Sequence, residues 1–286
     1  MLALVVVLGL VGWWALASLR GNDSAGGTGG VRPIATLQAP DIHSLLVDPQ
    51  NPDRVLFGSH AGIQESRDGG FAWQEGTLRN ADAMSMSVSP NDADTLYATG
   101  HDVFQVSRDG GETWQPLRHD LPGTDIHAFA QDPTEPRRLY ALVVGAGVFG
   151  STDGGATWTS LPMQPPGGSP LALATDGAAL YAATEAGLVV SRDGGAGWSQ
   201  LSAQPDGGVV SLAIPAADPK VIYAGTPSGL AKSADGGGSW TMVGPRGAPA
   251  IALAAAPSDP NRVLFVSEGG AVYRSDDGGA TWRSPR

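Results

Sequence analysis

The chain has 286 residues, no cysteine and a formal net charge of −11. Without cysteine there is no disulfide, thiol nucleophile or thiolate metal site, and the acidic balance argues against a nucleic-acid partner, whose phosphates call for lysine and arginine. Charged residues are 16% of the chain while glycine numbers 41, a balance that suits short strands joined by tight turns.

Taken in order, the first element is an apolar run. Residues 2–19 carry no charge and include Trp13 and Trp14 near their end. A run of this length approaches the ~20 residues that cross a bilayer as a helix. Residues 1–20 therefore read as an uncleaved signal anchor. A cleaved signal peptide is the alternative, because Ala15-Leu16-Ala17 has the small-residue pattern of a cleavage site. Either way the remainder is expected outside the cytoplasm, membrane-anchored or, after cleavage, secreted. Residues 21–30 (GNDSAGGTGG) form a flexible linker.

From residue 31 the chain repeats itself. The octet Ser66-Arg67-Asp68-Gly69-Gly70-Phe71-Ala72-Trp73 returns with Ser107, Asp109 and Trp114, then Ser151, Asp153 and Trp158, then Ser191, Asp193 and Trp198. It returns again with Ser233, Asp235 and Trp240, and with Ser275, Asp277 and Trp282. Successive serines stand 40 to 44 residues apart, a period typical of propellers and solenoids. Within each period an apolar strand comes first (residues 42–47, 126–130 and 171–174). A turn follows, often Asp-Pro, as at Asp48-Pro49 and Asp132-Pro133. A second strand carries an aromatic at one fixed place (Phe57, Tyr97, Tyr140, Tyr181, Tyr223, Phe265). A third strand ends at the serine, and a fourth is expected to begin at the tryptophan. Four short strands per period make one blade, so residues 31–286 are expected to form an all-β, six-bladed propeller. The last blade stops four residues after Trp282 and lacks an outer strand. Residues 33–38 are expected to supply it, since Ile34-Ala35-Thr36-Leu37 stands where Trp114-Gln115-Pro116-Leu117 stands in its own repeat. A monomeric ring follows.

The motif has a local cause. Aspartate before glycine favours a tight turn, because the carboxylate accepts turn amides and glycine tolerates positive φ. The tryptophan supplies apolar area between blades. A structural role for the six aspartates thus outweighs a catalytic or calcium-binding one.

Ser-x-Asp-Gly-Gly-x-x-Trp resembles the Asp-box, or BNR repeat, of the sialidase-like propellers, over residues 31–286. That repeat occurs in sialidases, sortilin-type receptors, xyloglucanases and photosystem assembly factors, and marks a fold more than a chemistry. The tight blades with Asp-Pro turns look most like bacterial BNR proteins labelled glycosyl hydrolase or exo-sialidase by similarity. Sialidases resemble one another in three arginines, a tyrosine nucleophile beside a glutamate, and an aspartate acid/base. Here Arg67, Arg108 and Arg192 lie inside the motif and the tyrosines sit at a repeated strand position, so no catalytic residue carries over.

Four of the five histidines stand at repeat-equivalent places where the later blades hold other residues. His43 and His127 stand at the start of first strands, each two residues after an aspartate, Asp41 and Asp125. Blade 2 has Asp82 and Met84 there, with Met86 beyond. His60 and His101 stand in the turn between second and third strands, with Asp102 beside the latter. All are expected on one face over blades 1 to 3, opposite the motif and at the mouth of the central channel. Each aspartate is placed to orient the histidine two residues on. His119 has no repeat partner and reads as a surface loop residue. Three readings stay open: a polar rim, a divalent metal site (zinc, or copper if Met84 joins), or a hydrolytic site. For hydrolysis the candidates are Asp41, Asp125 and Glu185, with Glu268 as an extra carboxylate, and glycoside cleavage needs two carboxyls about 5–10 Å apart. The functional expectation is a binding or assembly module that takes a protein partner, glycan or small ligand on this face. The alternative is a sialidase-like glycoside hydrolase acting on extracellular glycans.

Overall fold

The computed structural model describes residues 30–89 and 91–286. The anchor expected over residues 1–20 and the linker after it lie outside them, Gly30 apart. Among the described residues no helix is long and apolar enough to cross a membrane.

The described chain is all β: six antiparallel four-stranded sheets arranged as a six-bladed propeller. Blade 1 runs Ser44–Val47, Val55–Ser59, Gly62–Ser66 and Gln74–Arg79 from the inner to the outer strand. Blade 2 runs Ser85–Ser89, Asp92–Gly100, Val103–Ser107 and Gln115–Pro116. Blade 3 runs Ile126–Gln131, Leu139–Val143, Gly147–Ser151 and Thr159–Ser160. Blades 4 and 5 repeat the pattern, and inner strands neighbour one another around the ring, the first against the last. In blade 6 the strands Ala252–Ala256, Asp259–Val266 and Ala271–Ser275 are joined by Ala35–Thr36 from the other end of the chain, in register Ala35↔Val272 and Thr36↔Ala271. Outer strands begin one residue after the tryptophan rather than at it; the indole N–H bonds outside the ladder, Trp114 donating to Thr77 of the preceding blade at 3.1 Å and Trp73 to the Gly70 carbonyl of its own motif at 2.9 Å.

The motif builds the same network six times. In blade 2, Ser107 Oγ donates to Asp109 Oδ1 at 2.7 Å and accepts from Gly111 N at 2.7 Å, while Asp109 Oδ1 accepts from Thr113 N at 2.8 Å. The second glycine needs its positive φ, +90° at Gly111, to aim its amide back at the serine. Asp48 and Asp132 make a second local network, each carboxylate accepting the amides two and three residues on, as an Asx turn does.

The core is divided among the blade junctions. One cluster joins Phe57, Leu45 and Val55 of blade 1 to Leu264, Val266 and Val272 of blade 6, with Ile34 and Leu37 between them. Another joins Tyr97, Phe104 and Val106 of blade 2 to Ile126, Phe129 and Leu139 of blade 3, with Trp158 beside them. The aromatic that recurs on every second strand therefore serves blade-to-blade packing, worth roughly 1.5–3 kcal/mol per fully buried side chain.

Candidate functional site

The starts of the inner strands and the turns between second and third strands share one face. There His43, Met84, His127, Leu171, Val210 and Ile251 surround the mouth of the central channel, a cavity of about 150 Å³. No carboxylate lines that cavity. Met84 and Met86 belong to its wall.

The histidines and aspartates form a continuous arc on the rim. Asp41 accepts from His60 N at 2.9 Å and is hydrogen-bonded to His60 Nδ1. Asp82 does the same one blade on: its Oδ2 accepts from His101 N at 3.1 Å and lies 2.6 Å from His101 Nδ1. In both blades the aspartate thus caps the turn and holds the imidazole by Nδ1, leaving Nε2 directed elsewhere. Asp82 is 7% exposed, and its Oδ1 is buried without a hydrogen-bond partner. Its side chain occupies the space over Gly100, where a Cβ would lie 2.8 Å from the Asp82 Cγ. The equivalent positions in blades 1, 4 and 5 hold Ser59, Thr184 and Thr226, whose hydroxyls donate to the carbonyls of Gly62, Gly187 and Gly229.

Blade 3 offers no turn histidine to its own aspartate. Asp125 Oδ1 instead lies 2.7 Å from His127 Nε2 and 3.7 Å from His101 Nε2. The nearer approach lacks the alignment of a hydrogen bond, and Asp125 Oδ1 is buried with no hydrogen-bond partner. His127 Nε2 is 3.2 Å from His101 Nε2. At the other end of the arc His43 Nε2 is 3.3 Å from both Asp41 Oδ1 and His60 Nε2. His60 Nε2 is 3.6 Å from Asp82 Oδ2, and the His60 and His101 rings stack at 5.4 Å. Three overlapping groups, Asp41–His43–His60, His60–Asp82–His101 and His101–Asp125–His127, each converge closely enough to hold a cation. Burial pushes the His43 and His127 imidazoles below their ordinary pKa, against the pull of Asp41 and Asp125 respectively. The neutral form that this favours is the one that ligates metal.

The sequence candidates sort as follows. His43, His60, His101, His127, Asp41, Asp82 and Asp125 come together. The pairing of each aspartate with the histidine two residues on needs correcting at Asp41, whose carboxylate bonds the turn histidine His60 by both backbone and ring. The turn offers two donors at once, where His43 offers a single ring nitrogen at 3.3 Å. Asp102 belongs to none of the three groups: it takes left-handed backbone (φ 54°) in the blade 2 turn and accepts from Thr124 Oγ1 at 2.5 Å. Glu185 and Glu268 stand exposed in the corresponding turns of blades 4 and 6, outside the three groups. His119 is half-buried, its ring 5.4 Å from that of Phe104. Two residues of this face, Gly100 and Val144, went unread in the sequence, and Leu171, read as the start of the first strand 171–174, stands exposed there. Gly100 makes room for Asp82, and its signal was a glycine where Ser59, Thr184 and Thr226 stand. Val144 and Leu171, 44% and 58% exposed, put apolar side chains on the same face over blades 3 and 4.

Wider grooves lie on the motif side. One of about 810 Å³ between blades 6 and 1 is lined by Arg262, Arg274, Arg283 and Arg286 with Asp53, Asp276 and Asp277. Its acids are committed. Asp53 pairs with Arg262 at 2.9 Å and Asp276 with Arg274 at 2.9 Å. Burial works to raise the Asp276 pKa, but hydrogen bonds from Arg274 and Arg283 hold it below the ordinary range. Thr281 and Ser275 hold Asp277 at about 2. Neither Asp276 nor Asp277 is poised to donate a proton near neutrality.

Residues 41–184 match the family of photosynthesis system II assembly factor YCF48. No curated protein matches the chain in sequence. Among solved structures, YCF48 from Cyanidioschyzon merolae is similar with a TM-score of 0.56 at 21% identity, over 88% of this chain and 87% of that one. YCF48 bound to D1 peptide is similar with a TM-score of 0.57 at 19% identity, over 90% and 85%. The GH74 xyloglucanase from Xanthomonas campestris is similar with a TM-score of 0.62 at 21% identity, over 88% of this chain and 46% of that one. The chain spans less than half the length of the GH74 enzymes that it matches. At these identities the solved structures speak for the fold.

Proposed function

The chain belongs to the family of photosynthesis system II assembly factor YCF48, and from that premise we propose that it is a binding and assembly propeller that docks a protein segment on its histidine-bearing face. The observation that carries this reading is the make-up of that face. Exposed apolar Val144 and Leu171 stand beside a polar arc whose His60 and His101 side chains are 45% and 49% exposed. Apolar anchors within a polar rim suit a protein partner. The channel beneath is too small and too poor in carboxylates to seat a glycan between two acids. A relative in the family binds a D1 peptide, which fits a peptide on this fold. The uncharged run of residues 2–19 supports a place at a membrane, outside the cytoplasm, where membrane-protein segments are at hand.

The test is site-specific photocrosslinking in the native host. A photoreactive residue at Val144 or Leu171 is expected to trap a discrete protein partner, and the same residue at Glu112, on the motif side, is not. The trapped segment, made as a peptide, should bind purified protein and lose affinity with Leu171→Asp. Turnover of xyloglucan or fluorogenic glycosides that vanishes in Asp125→Ala would replace this reading with the hydrolase one.

A further inference from the structure

The arc contains more than a docking rim requires. Asp41 and Asp82 are spent on capping turns and on holding His60 and His101 by Nδ1. That second arrangement fixes the His101 tautomer. With Nδ1–H given to Asp82, Nε2 presents a lone pair. It faces His127 Nε2 at 3.2 Å and Asp125 Oδ1 at 3.7 Å, and the last two are 2.7 Å apart. Three atoms of metal-ligating type thus converge, two imidazole nitrogens and one carboxylate oxygen. Asp125 Oδ1 is buried, and its 2.7 Å approach to His127 Nε2 is a charge contact without hydrogen-bond alignment. Ligand atoms 2.0–2.1 Å from zinc in a tetrahedron lie roughly 3.3 Å from one another; the two imidazole nitrogens stand at 3.2 Å, and the carboxylate oxygen at 3.7 and 2.7 Å from them brackets that spacing. A carboxylate on the far nitrogen of a ligating imidazole is the usual outer support of such a site. Asp82 meets that description, and its own buried, unpartnered Oδ1 marks a charge that a nearby cation would offset.

We propose that His101 Nε2, His127 Nε2 and Asp125 Oδ1 form a binding site for a divalent first-row cation of the zinc type, with Asp82 as the positioning residue behind His101. Two imidazoles and one carboxylate favour zinc over magnesium or calcium, which take oxygen ligands. The fourth position faces solvent, because the His101 and Asp125 side chains are 49% and 41% exposed. A water or a donor from a docked partner completes the shell. This site stands whether or not the partner is a protein.

The test uses the full-length chain, stripped with a chelator and titrated with zinc, and in parallel with cobalt for its ligand-field absorption. One equivalent of tight zinc and an intense cobalt band of tetrahedral type are expected. His127→Gln and Asp125→Asn should abolish the band. Asp82→Asn should weaken zinc about 10–100-fold, as loss of an outer-shell partner does. His119→Ala should leave both readouts unchanged. Thermal melts without metal establish that each variant is folded, and His127→Gln, on the rim, serves if Asp82→Asn is not. The proposal is overturned if wild type takes up no zinc, if His127→Gln binds it as wild type does, or if His43→Ala removes the band while His127→Gln keeps it, since the cation would then sit in blade 1.

Discussion

Ser107, 1% exposed, serves two partners with one hydroxyl, donating to Asp109 and accepting from the Gly111 amide. Ser107→Ala leaves that buried amide without an acceptor, a loss of about 1–3 kcal/mol. In a domain of this size each kcal/mol lowers the melting temperature by roughly 2–4 °C, and calorimetry should show that fall. The motif aspartates add a dependence on pH. Hydrogen bonds from Thr113 and Ser107 hold Asp109 at about 2, those from Ser239 and Ser233 hold Asp235 at about 2, and those from Thr281 and Ser275 hold Asp277 at about 2. An unfolded aspartate titrates near about 3.9. A depressed folded pKa stabilises the fold at all pH above the unfolded value, and the stabilisation is lost as pH falls through the folded one. Acid unfolding followed by circular dichroism should therefore develop between about pH 4 and pH 2. Thr113→Val, which deletes the 2.5 Å bond from Oγ1 to Asp109, should move it to higher pH. An unchanged acid midpoint in a Thr113→Val/Thr281→Val double variant would contradict this account.

At the scale of the blade, the motif was legible because its serine–aspartate–glycine bonds close within the octet and recur in each period. The four histidines were legible as a group because the same period is a ruler: residues at one count from the serine must lie on one face. The pairings within the group were not. Asp41 with His60 and Asp82 with His101 are each 19 residues apart, across a hairpin, and a rule based on i and i+2 along one strand looks past them. The approach of His101 to His127 spans two blades and depends on the angle between sheets, which no local pattern encodes. Gly100 ties these levels together. Its φ lies outside the left-handed region, so alanine brings no backbone strain, only a Cβ 2.8 Å from the Asp82 Cγ. Gly100→Ala should cost about 1–3 kcal/mol through overpacking and turn Asp82 away from His101. Loss of the His101 Nδ1–H hydrogen bond, followed by NMR of the ring nitrogens, checks it. An unaltered His101 signal would show that Asp82 is not confined by this contact.

At the scale of the whole ring, stability rests on the junctions between blades, and the junction between last and first is the one the chain must close with its own ends. Ala35–Thr36 pairs with the third strand of blade 6, with Ile34 N donating to Val272 O and Leu37 N to Gly270 O, both at 2.8 Å. Ile34 and Leu37, 6% and 4% exposed, enter the cluster shared by Phe57 and Leu264. Arg262 to Asp53 at 2.9 Å and Arg274 to the Gly69 carbonyl at 3.1 Å cross the same junction. A chain that starts at Asp41 keeps these arginine contacts and the packing of Leu45, Val55 and Phe57 against Leu264, Val266 and Val272, and loses the closing strand with Ile34 and Leu37. It forfeits two buried apolar side chains at about 2–5 kcal/mol each and leaves the edge of Ala271–Ser275 unpaired, free to template association. At roughly 2–4 °C per kcal/mol the truncated chain should melt on the order of 10 °C below the full one, and sedimentation should show it associating. Ile34→Ala/Leu37→Ala separates the two effects: it keeps the strand and hence the covered edge, so association should not rise, while the melting temperature still falls. A truncated chain that melts like the parent and stays monomeric would mean that the three remaining strands and the arginine contacts suffice to close the ring.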